Sequence, residues 1–336
     1  MSAPETGTAT MNPHERVEAA LAGAPVDRVP VSLWHHFPER DQTAESLADA
    51  TYAFWLAFEF DFIKFMPPGD YPTIDWGARS ESRGARAGTR QTTYFPVTEA
   101  ADWARIRPVD AGAGLHAEMN RAIALLQERL EHRVPVLQTV FSPLTIAQKL
   151  SDGRAVQHAT EEPELLKGAL EAIAETARGM VRAALAAGAD GIFFATQCAN
   201  AATMPADAYA EFGTPYDLAV LEAAQEGSRF TLLHIHGLDI YFDALARYPV
   251  HAINWHDRRT SPALTEGRDR AGKAAVGGID EHGPVVTGAV ADARAEVEDA
   301  LAATGGRRVM IAPGCVIPID TPRDNIAAAV RAARGE

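Results

Sequence analysis

Eight short apolar runs constrain this chain more than any other feature, because segments of helical periodicity separate them with a regular beat. The runs are Arg28–Trp34, Asp61–Met66, Val134–Phe141, Gly191–Thr196, Phe230–Gly237, Ala252–Trp255, Ala274–Ile279 and Arg308–Ala312. A strand followed by a helix, repeated, builds a parallel sheet with helices covering its faces. Eight such units in about 300 residues favour a closed (β/α)8 TIM barrel over an open doubly wound sheet. No glycine-rich phosphate loop follows the first run, which counts against a dinucleotide-binding sheet. The expected fold is therefore an α/β (β/α)8 barrel. Residues 70–113 break the beat with Gly, Arg and Thr around Tyr94-Phe95-Pro96-Val97. They read as a hairpin insertion or lid after the second strand.

The ends and the helices follow from local chemistry. Residues 1–11 are small, polar and acidic, without the apolar stretch of a signal peptide, and are expected to be a disordered tail. Residues 12–336 are expected to form one barrel domain. Asn12 is placed to cap a helix over Pro13–Ala22, with Pro13 in its first turn. Thr321-Pro322-Arg323-Asp324 is expected to start the last helix, with Thr321 as cap and Pro322 at the first helical position. Net charge is −14, no basic cluster stands out, and no apolar run reaches the length of a membrane span. Neither nucleic acid nor a membrane is expected as a partner. With only Cys198 and Cys315, no disulfide framework is implied, and a cytoplasmic setting is expected.

In such barrels chemistry sits at the carboxyl ends of the strands. Here those ends carry Trp34-His35-His36, Met66, Ser142, Gln197-Cys198, His234 and His236, His256-Asp257, Asp280-Glu281-His282 and Cys315. Both cysteines and more than half of the eleven histidines fall on that rim, while the runs behind them are apolar. His234 and His236, two apart at a strand end, point the same way. With Cys315 they form a zinc-like ligand set of soft sulfur and borderline nitrogen. Asp280, Glu281 and His256 are candidate acid/base groups. Trp34, His35, His36, Tyr71, Gln197, Cys198 and Trp255 are candidates to line a substrate cavity. The bland alternatives are hydrogen-bonded histidines in a polar mouth, a small buried thiol, and aromatic side chains that only fill space.

The closing stretch Ala312-Pro313-Gly314-Cys315-Val316-Ile317-Pro318-Ile319-Asp320-Thr321-Pro322-Arg323-Asp324-Asn325-Ile326 resembles the last motif of the uroporphyrinogen decarboxylase superfamily. Val134–Ala147, Gly188–Phe194 and Gly277–Asp280 resemble its other blocks, in the same order. The resemblance implies a (β/α)8 barrel. One branch of the superfamily decarboxylates tetrapyrroles without a cofactor, and the other moves a methyl group between a corrinoid protein and a thiol with the help of zinc. The decarboxylase's arginine-rich motif after strand one is reduced here to Arg40 alone. Its aspartate at the end of strand two is replaced by Phe65-Met66-Pro67-Pro68, and its closing histidine by Cys315. The methyltransferase branch carries His-x-Cys on strand five and a closing cysteine. His234 and Cys315 match those places, and His236 stands for the first cysteine.

The resemblance implies a zinc-dependent methyltransferase that takes a small-molecule acceptor, a thiol or similar group. The donor would be a corrinoid carried on a partner protein, and a homodimer is implied as well. The competing expectations are a decarboxylase or lyase acting on a carboxylic acid or tetrapyrrole, and a non-catalytic barrel that binds a tetrapyrrole or corrinoid.

Overall fold

The computed structural model describes residues 10–336. Most of the expected tail therefore lies outside the described residues. Met11 is tied down rather than loose, because its backbone N–H donates to Asp27 at 2.9 Å and its carbonyl accepts from Arg16.

Nine strands are present among the described residues. They are β1 Ile63–Phe65, β2 Arg79–Glu81, β3 Gln91–Tyr94, β4 Val136–Phe141, β5 Gly191–Thr196, β6 Phe230–Ile235, β7 Ala252–Trp255, β8 Ala274–Ile279 and β9 Val309–Pro313. Seven of them form one parallel sheet in the order β1-β4-β5-β6-β7-β8-β9. Every residue of these seven strands is buried, as expected of strands covered on both faces. Long helices such as Gly114–Leu130, Pro163–Ala186 and Val290–Thr304 supply the cover, each turning an apolar stripe inward.

The first expected strand is reduced to a single bridge, Val31 to Ile311. Proline explains this, since Pro30 has no N–H to offer a ladder. The stretch nevertheless spans the gap between the two sheet edges. On one side Ser32 N–H donates to Ile311 O at 3.0 Å and Ile311 N–H to Pro30 O at 2.8 Å. On the other, Asp61 N–H donates to Val31 O at 2.9 Å and the Ser32 hydroxyl to Phe62 O at 2.7 Å. Seven strands and one extended segment thus complete the ring.

The amino-terminal end of the barrel is held by charge. Asp61 is fully buried and accepts from Arg16, Arg28 and the Val31 N–H, all within 2.9 Å. Arg16 also pairs with Asp27 at 2.7 Å. Arg16 comes from the helix Pro13–Ala22, whose start is fixed by a reciprocal bond pair between Asn12 and Glu15.

The 70–113 region holds a short helix (Tyr71–Ile74), the antiparallel pair β2–β3 and a 3-10 turn over Ala100–Arg105. The loop joining β2 to β3 reaches the closing stretch. Ile319 N–H donates to Arg86 O at 3.0 Å, and Arg86 pairs with Asp320 at 2.9 Å. The last helix, Arg323–Arg334, begins one residue later than expected, with Pro322 as its cap. The Thr321 hydroxyl does not cap it, because it donates backward to Pro318 O at 2.7 Å.

Candidate metal centre

Four side chains converge at the carboxyl end of the barrel. His234 is the fifth residue of β6, and His236 lies one residue past its end. His256 follows β7 directly, and Cys315 stands two residues beyond β9. One donor atom from each of the four lies within 4.8 Å of all the others. Cys315 Sγ is 3.9 Å from His234 Nε2 and 3.7 Å from His236 Nδ1, and His236 Nδ1 is 3.2 Å from His256 Nε2.

The surroundings fix which nitrogens face inward. Asn254 is the register partner of His234 on β7. Its amide N–H groups donate to Val276 O at 2.8 Å and Pro313 O at 3.1 Å. Its Oδ1 is therefore the acceptor for His234 Nδ1 at 2.6 Å, which leaves the Nε2 lone pair pointing at Cys315. His256 Nδ1 donates to Glu281 Oε1 at 2.6 Å, so its Nε2 lone pair points at His236. Metal-bound histidines are held by such bonds to a carboxylate or an amide oxygen.

Electrostatics agree with the hydrogen bonds. Burial, with the neighbouring imidazoles, holds His234 well below its ordinary value and His236 down at about 4. These two rings are neutral near pH 7 and offer lone pairs. Burial opposes ionisation of Glu281, but bonds from His256 and Arg259 outweigh it and hold the carboxyl at about 2. Burial pushes the Cys315 thiol up, which a bound cation would reverse.

The donor set fits zinc. A tetrahedral zinc, with nitrogen at about 2.0 Å and sulfur at about 2.3 Å, separates its nitrogens by about 3.3 Å and sulfur from nitrogen by about 3.6 Å. Within the set His234, His236 and Cys315 the sulfur-to-nitrogen distance of 3.7 Å matches and 3.9 Å is slightly long, and the 3.2 Å between His236 and His256 would match only with His256 as a further ligand. Gly314 lets Cys315 reach the cluster. A Cβ there would meet Glu281 Oε2 and the His256 Cα at 2.9 Å, and the Trp255 carbonyl at 3.0 Å.

A cavity of about 430 Å³ opens beside the four donors. Of the residues expected to line it, Trp34, His36 and Gln197 do so, as do His256 and Glu281. His36 is nearly buried, and burial together with nearby Lys64 and Lys149 pushes it down to about 3. Several expected residues lie elsewhere. His35 turns away, donates from Nδ1 to His36 O at 2.7 Å and packs on Phe37 and Phe54. Tyr71 is buried outside the cavity with its hydroxyl on Thr139 O at 2.5 Å. Trp255 points outward from β7, where its indole donates to Pro262 O at 2.8 Å. Alternation explains this, since its neighbours Asn254 and His256 carry the inward positions. Cys198 faces a separate shallow hollow, and burial pushes its thiol to about 12. Asp280 is outside the cavity too, where its Oδ1 accepts the His282 N–H at 3.0 Å.

Three cationic side chains of the cavity escape a reading of the sequence. Lys64 on β1, Lys149 at the end of the helix Pro143–Leu150, and Arg259 after β7 all line it. Lysine in an apolar run is ordinarily read as a surface break, so Lys64 leaves no signal until the strand is known to face inward.

The family model described as uroporphyrinogen decarboxylase (URO-D) matches residues 12–335. A methylcobamide:CoM methyltransferase (MtbA) of Methanosarcina mazei is 23% identical over 340 residues, covering 96% of this chain and 97% of that protein. A methylcobamide:CoM methyltransferase (MtaA) of Methanosarcina barkeri is 26% identical over 345 residues, with the same coverage of 96% and 97%. Among solved structures, a methyltransferase from Methanosarcina mazei superposes with a TM-score of 0.85 at 22% identity, covering 96% of this chain and 98% of the other. A B12-independent methionine synthase from Shewanella sp. W3-18-1 superposes at 0.56 with 14% identity, covering 92% and 97%. These two likenesses establish the barrel fold.

Proposed function

The chain belongs to the uroporphyrinogen decarboxylase (URO-D) family, and from that membership we propose that it is a methyltransferase moving a methyl group from a corrinoid donor to a thiol acceptor. The observation that carries the reading is the convergence of His234, His236, His256 and Cys315 on one point beside the cavity. The full-length similarity to methylcobamide:CoM methyltransferases supports the reaction type. The three departures from the decarboxylase pattern noted above, at Arg40, Met66 and Cys315, speak against porphyrinogen decarboxylation.

In this reading His234, His236 and Cys315 would hold zinc. When bound, zinc supplies a Lewis acid that keeps an acceptor thiol deprotonated at neutral pH. The chain's own residues do the rest. Asn254 keeps the His234 lone pair turned inward. His256 receives the thiol proton at Nε2, and the Glu281 carboxylate behind it stabilises the imidazolium. The wall formed by Trp34, Phe193 and Met66 excludes water from the acceptor. The β2–β3 loop, bound to the closing stretch through Arg86 and Asp320, covers the mouth as a lid. The corrinoid is carried by a separate protein that docks at this end of the barrel.

Metal content tests the reading. Mass spectrometry of the purified protein is expected to find about one zinc per chain in the wild type and none in His236→Ala or Cys315→Ala. The same variants are expected to stop demethylating methylcobalamin in the presence of a thiol. No metal in the wild type after zinc supplementation, or full activity in Cys315→Ala, overturns it.

A further inference from the structure

A second pocket, of about 540 Å³, opens at the root of the 70–113 region and shares no lining residue with the cavity beside the His/Cys centre. Asp41 and Gln42 enter it from the loop before the helix Ala44–Phe58, and Pro68 and Asp70 from the turn after β1. The base of the β2–β3 pair and the start of the helix Gly114–Leu130 complete its wall.

Two carboxylates in that wall are buried without compensation. Asp41 is 0% exposed and Asp70 7%. Both oxygens of Asp70, and Oδ2 of Asp41, have no hydrogen-bond partner among the described residues. Asp41 Oδ1 accepts from the adjacent Gln42 amide. Asp70 precedes the short helix Tyr71–Ile74, yet its side chain does not cap it. The pocket's other carboxylates are engaged. Asp75 accepts from the N–H groups of Leu115 at 3.0 Å and His116 at 3.1 Å, and Glu118 from that of Ala44 at 2.6 Å. The nearby cations do not bond to the pair. Arg90 turns its Nε to the Ser80 hydroxyl at 3.0 Å, and the Arg79 guanidinium lies 5.7 Å from the Tyr94 ring centre. Lys149 feels Asp70 without an ion pair to it, its Nζ 4.9 Å from the Phe141 ring centre. A carboxylate buried without a partner is costly, and a second one beside it raises the cost. Such a pair is kept where a cation or a shared proton supplies what the protein does not.

We propose that Asp41 and Asp70 hold a hard divalent cation, magnesium or calcium, in this pocket. The lining chooses the kind of cation. It offers oxygen donors and neither thiolate nor imidazole, which disfavours zinc and other softer metals. It contains no aromatic ring, the usual partner of an organic ammonium ion. One or two carboxylates, with water in the remaining positions, is a common way to bind magnesium, and calcium accepts the same donors. The ion would join the loop before Ala44 to the turn that leads into the 70–113 region. It would thus fix the root of the β2–β3 loop, whose Arg86 is bound to Asp320. The site does not depend on the methyl-transfer reading.

Titration calorimetry of the full-length, zinc-loaded protein with magnesium chloride and with calcium chloride tests this. Wild type is expected to take up about one ion per chain, with a Kd on the order of 10⁻⁴–10⁻³ M for at least one of the two salts. Asp70→Asn and Asp41→Asn are expected to bind at least about tenfold more weakly while keeping their zinc. Hydrogen exchange of the wild type, with and without the ion, locates the site without any variant. Slower exchange is expected around residues 40–44 and 68–80. No binding of either ion by wild type at about 10 mM overturns the proposal, and a proton shared by the two carboxylates then explains the pair. Binding that survives in both Asn variants also overturns it, as does protection confined to other parts of the chain, because either result places the ion elsewhere on an anionic surface.

Discussion

His234 Nδ1 lies 2.6 Å from Asn254 Oδ1, directly across the β6–β7 pair, and that one bond decides which nitrogen of His234 faces Cys315. Asn254 can act only as acceptor at Oδ1 because its amide is spent on Val276 O and Pro313 O. Replacing Asn254 by Ala frees the ring to turn and leaves two buried carbonyls unpaired. Zinc affinity, read by chelator competition, is expected to fall about 10- to 100-fold. Chemical denaturation should also register a loss of about 1–3 kcal/mol for the orphaned carbonyls. Unchanged zinc affinity would mean that the His234 orientation is set by something else.

Gly314 offers a second handle on the same centre. Its missing side chain is filled by Glu281 Oε2, the His256 Cα and the Trp255 carbonyl, two of them backbone. Backbone cannot step aside as a flexible side chain can. Gly314→Ala is expected to shift Cys315 away from the histidines, lowering zinc content and costing about 1–3 kcal/mol of stability from overpacking. A variant that keeps its zinc and its stability would contradict the close packing described for this turn.

Much of this was legible in the sequence, and the reasons differ by residue. The strands could be read because buried parallel strands are continuous apolar runs, and the candidate ligands His234, His236 and Cys315 because polarity collects at the ends of those runs. Two-residue alternation put His234 and His236 on one face. The same rule excludes Trp255, but only once Asn254 is recognised as the inward neighbour. His35 and His36 are adjacent, so one of them had to turn away, and only packing against Phe54 decides that it is His35. Asn254, Lys64 and Lys149 were not legible. Their roles come from which strands are neighbours in the ring, a long-range property that no local pattern carries. The extended stretch around Val31 was read as a strand, although Pro30 limits it to one bridge.

Asp217 gives a pH dependence unrelated to the metal. It is fully buried, and burial pushes its carboxyl up to about 7, against the opposing bonds from Tyr209 at 2.6 Å and Tyr248 at 2.9 Å. Between its ordinary value of 3.8 and about 7 the folded chain keeps a proton that the unfolded chain has released. Stability contributed by this group is therefore greatest below that window and is lost as pH rises through it. Asp257 and Glu296, both raised to about 7 by burial, act in the same direction. The buried histidines, held below their ordinary value, act in the opposite direction below about pH 6.5, but they are common to wild type and Asp217→Asn, so the test is the difference between the two proteins. From pH 5 to pH 7.5 in urea the stability of wild type relative to Asp217→Asn is expected to fall, by an amount on the order of 1.4 kcal/mol per pH unit crossed. Parallel curves for the two proteins would show that Asp217 ionises normally.

His256 decides whether the centre is open or closed. Its Nε2 is close enough to His236, at 3.2 Å, to be a fourth ligand, and four protein ligands would leave no place for an acceptor. Its other nitrogen is held by Glu281, which suits a base as well as a ligand. The two roles separate in the variant His256→Ala. If His256 is the base, zinc stays bound through His234, His236 and Cys315, while transfer from methylcobalamin to a thiol slows by about 10²- to 10⁴-fold. Offering the acceptor at a pH above its own thiol pKa should then restore much of the rate, because no proton remains to be removed. If His256 is instead a required ligand, the variant is isolated without zinc and a higher pH restores nothing. Metal content and the pH profile of the same variant therefore distinguish a catalytic centre with an open position from a closed, structural one.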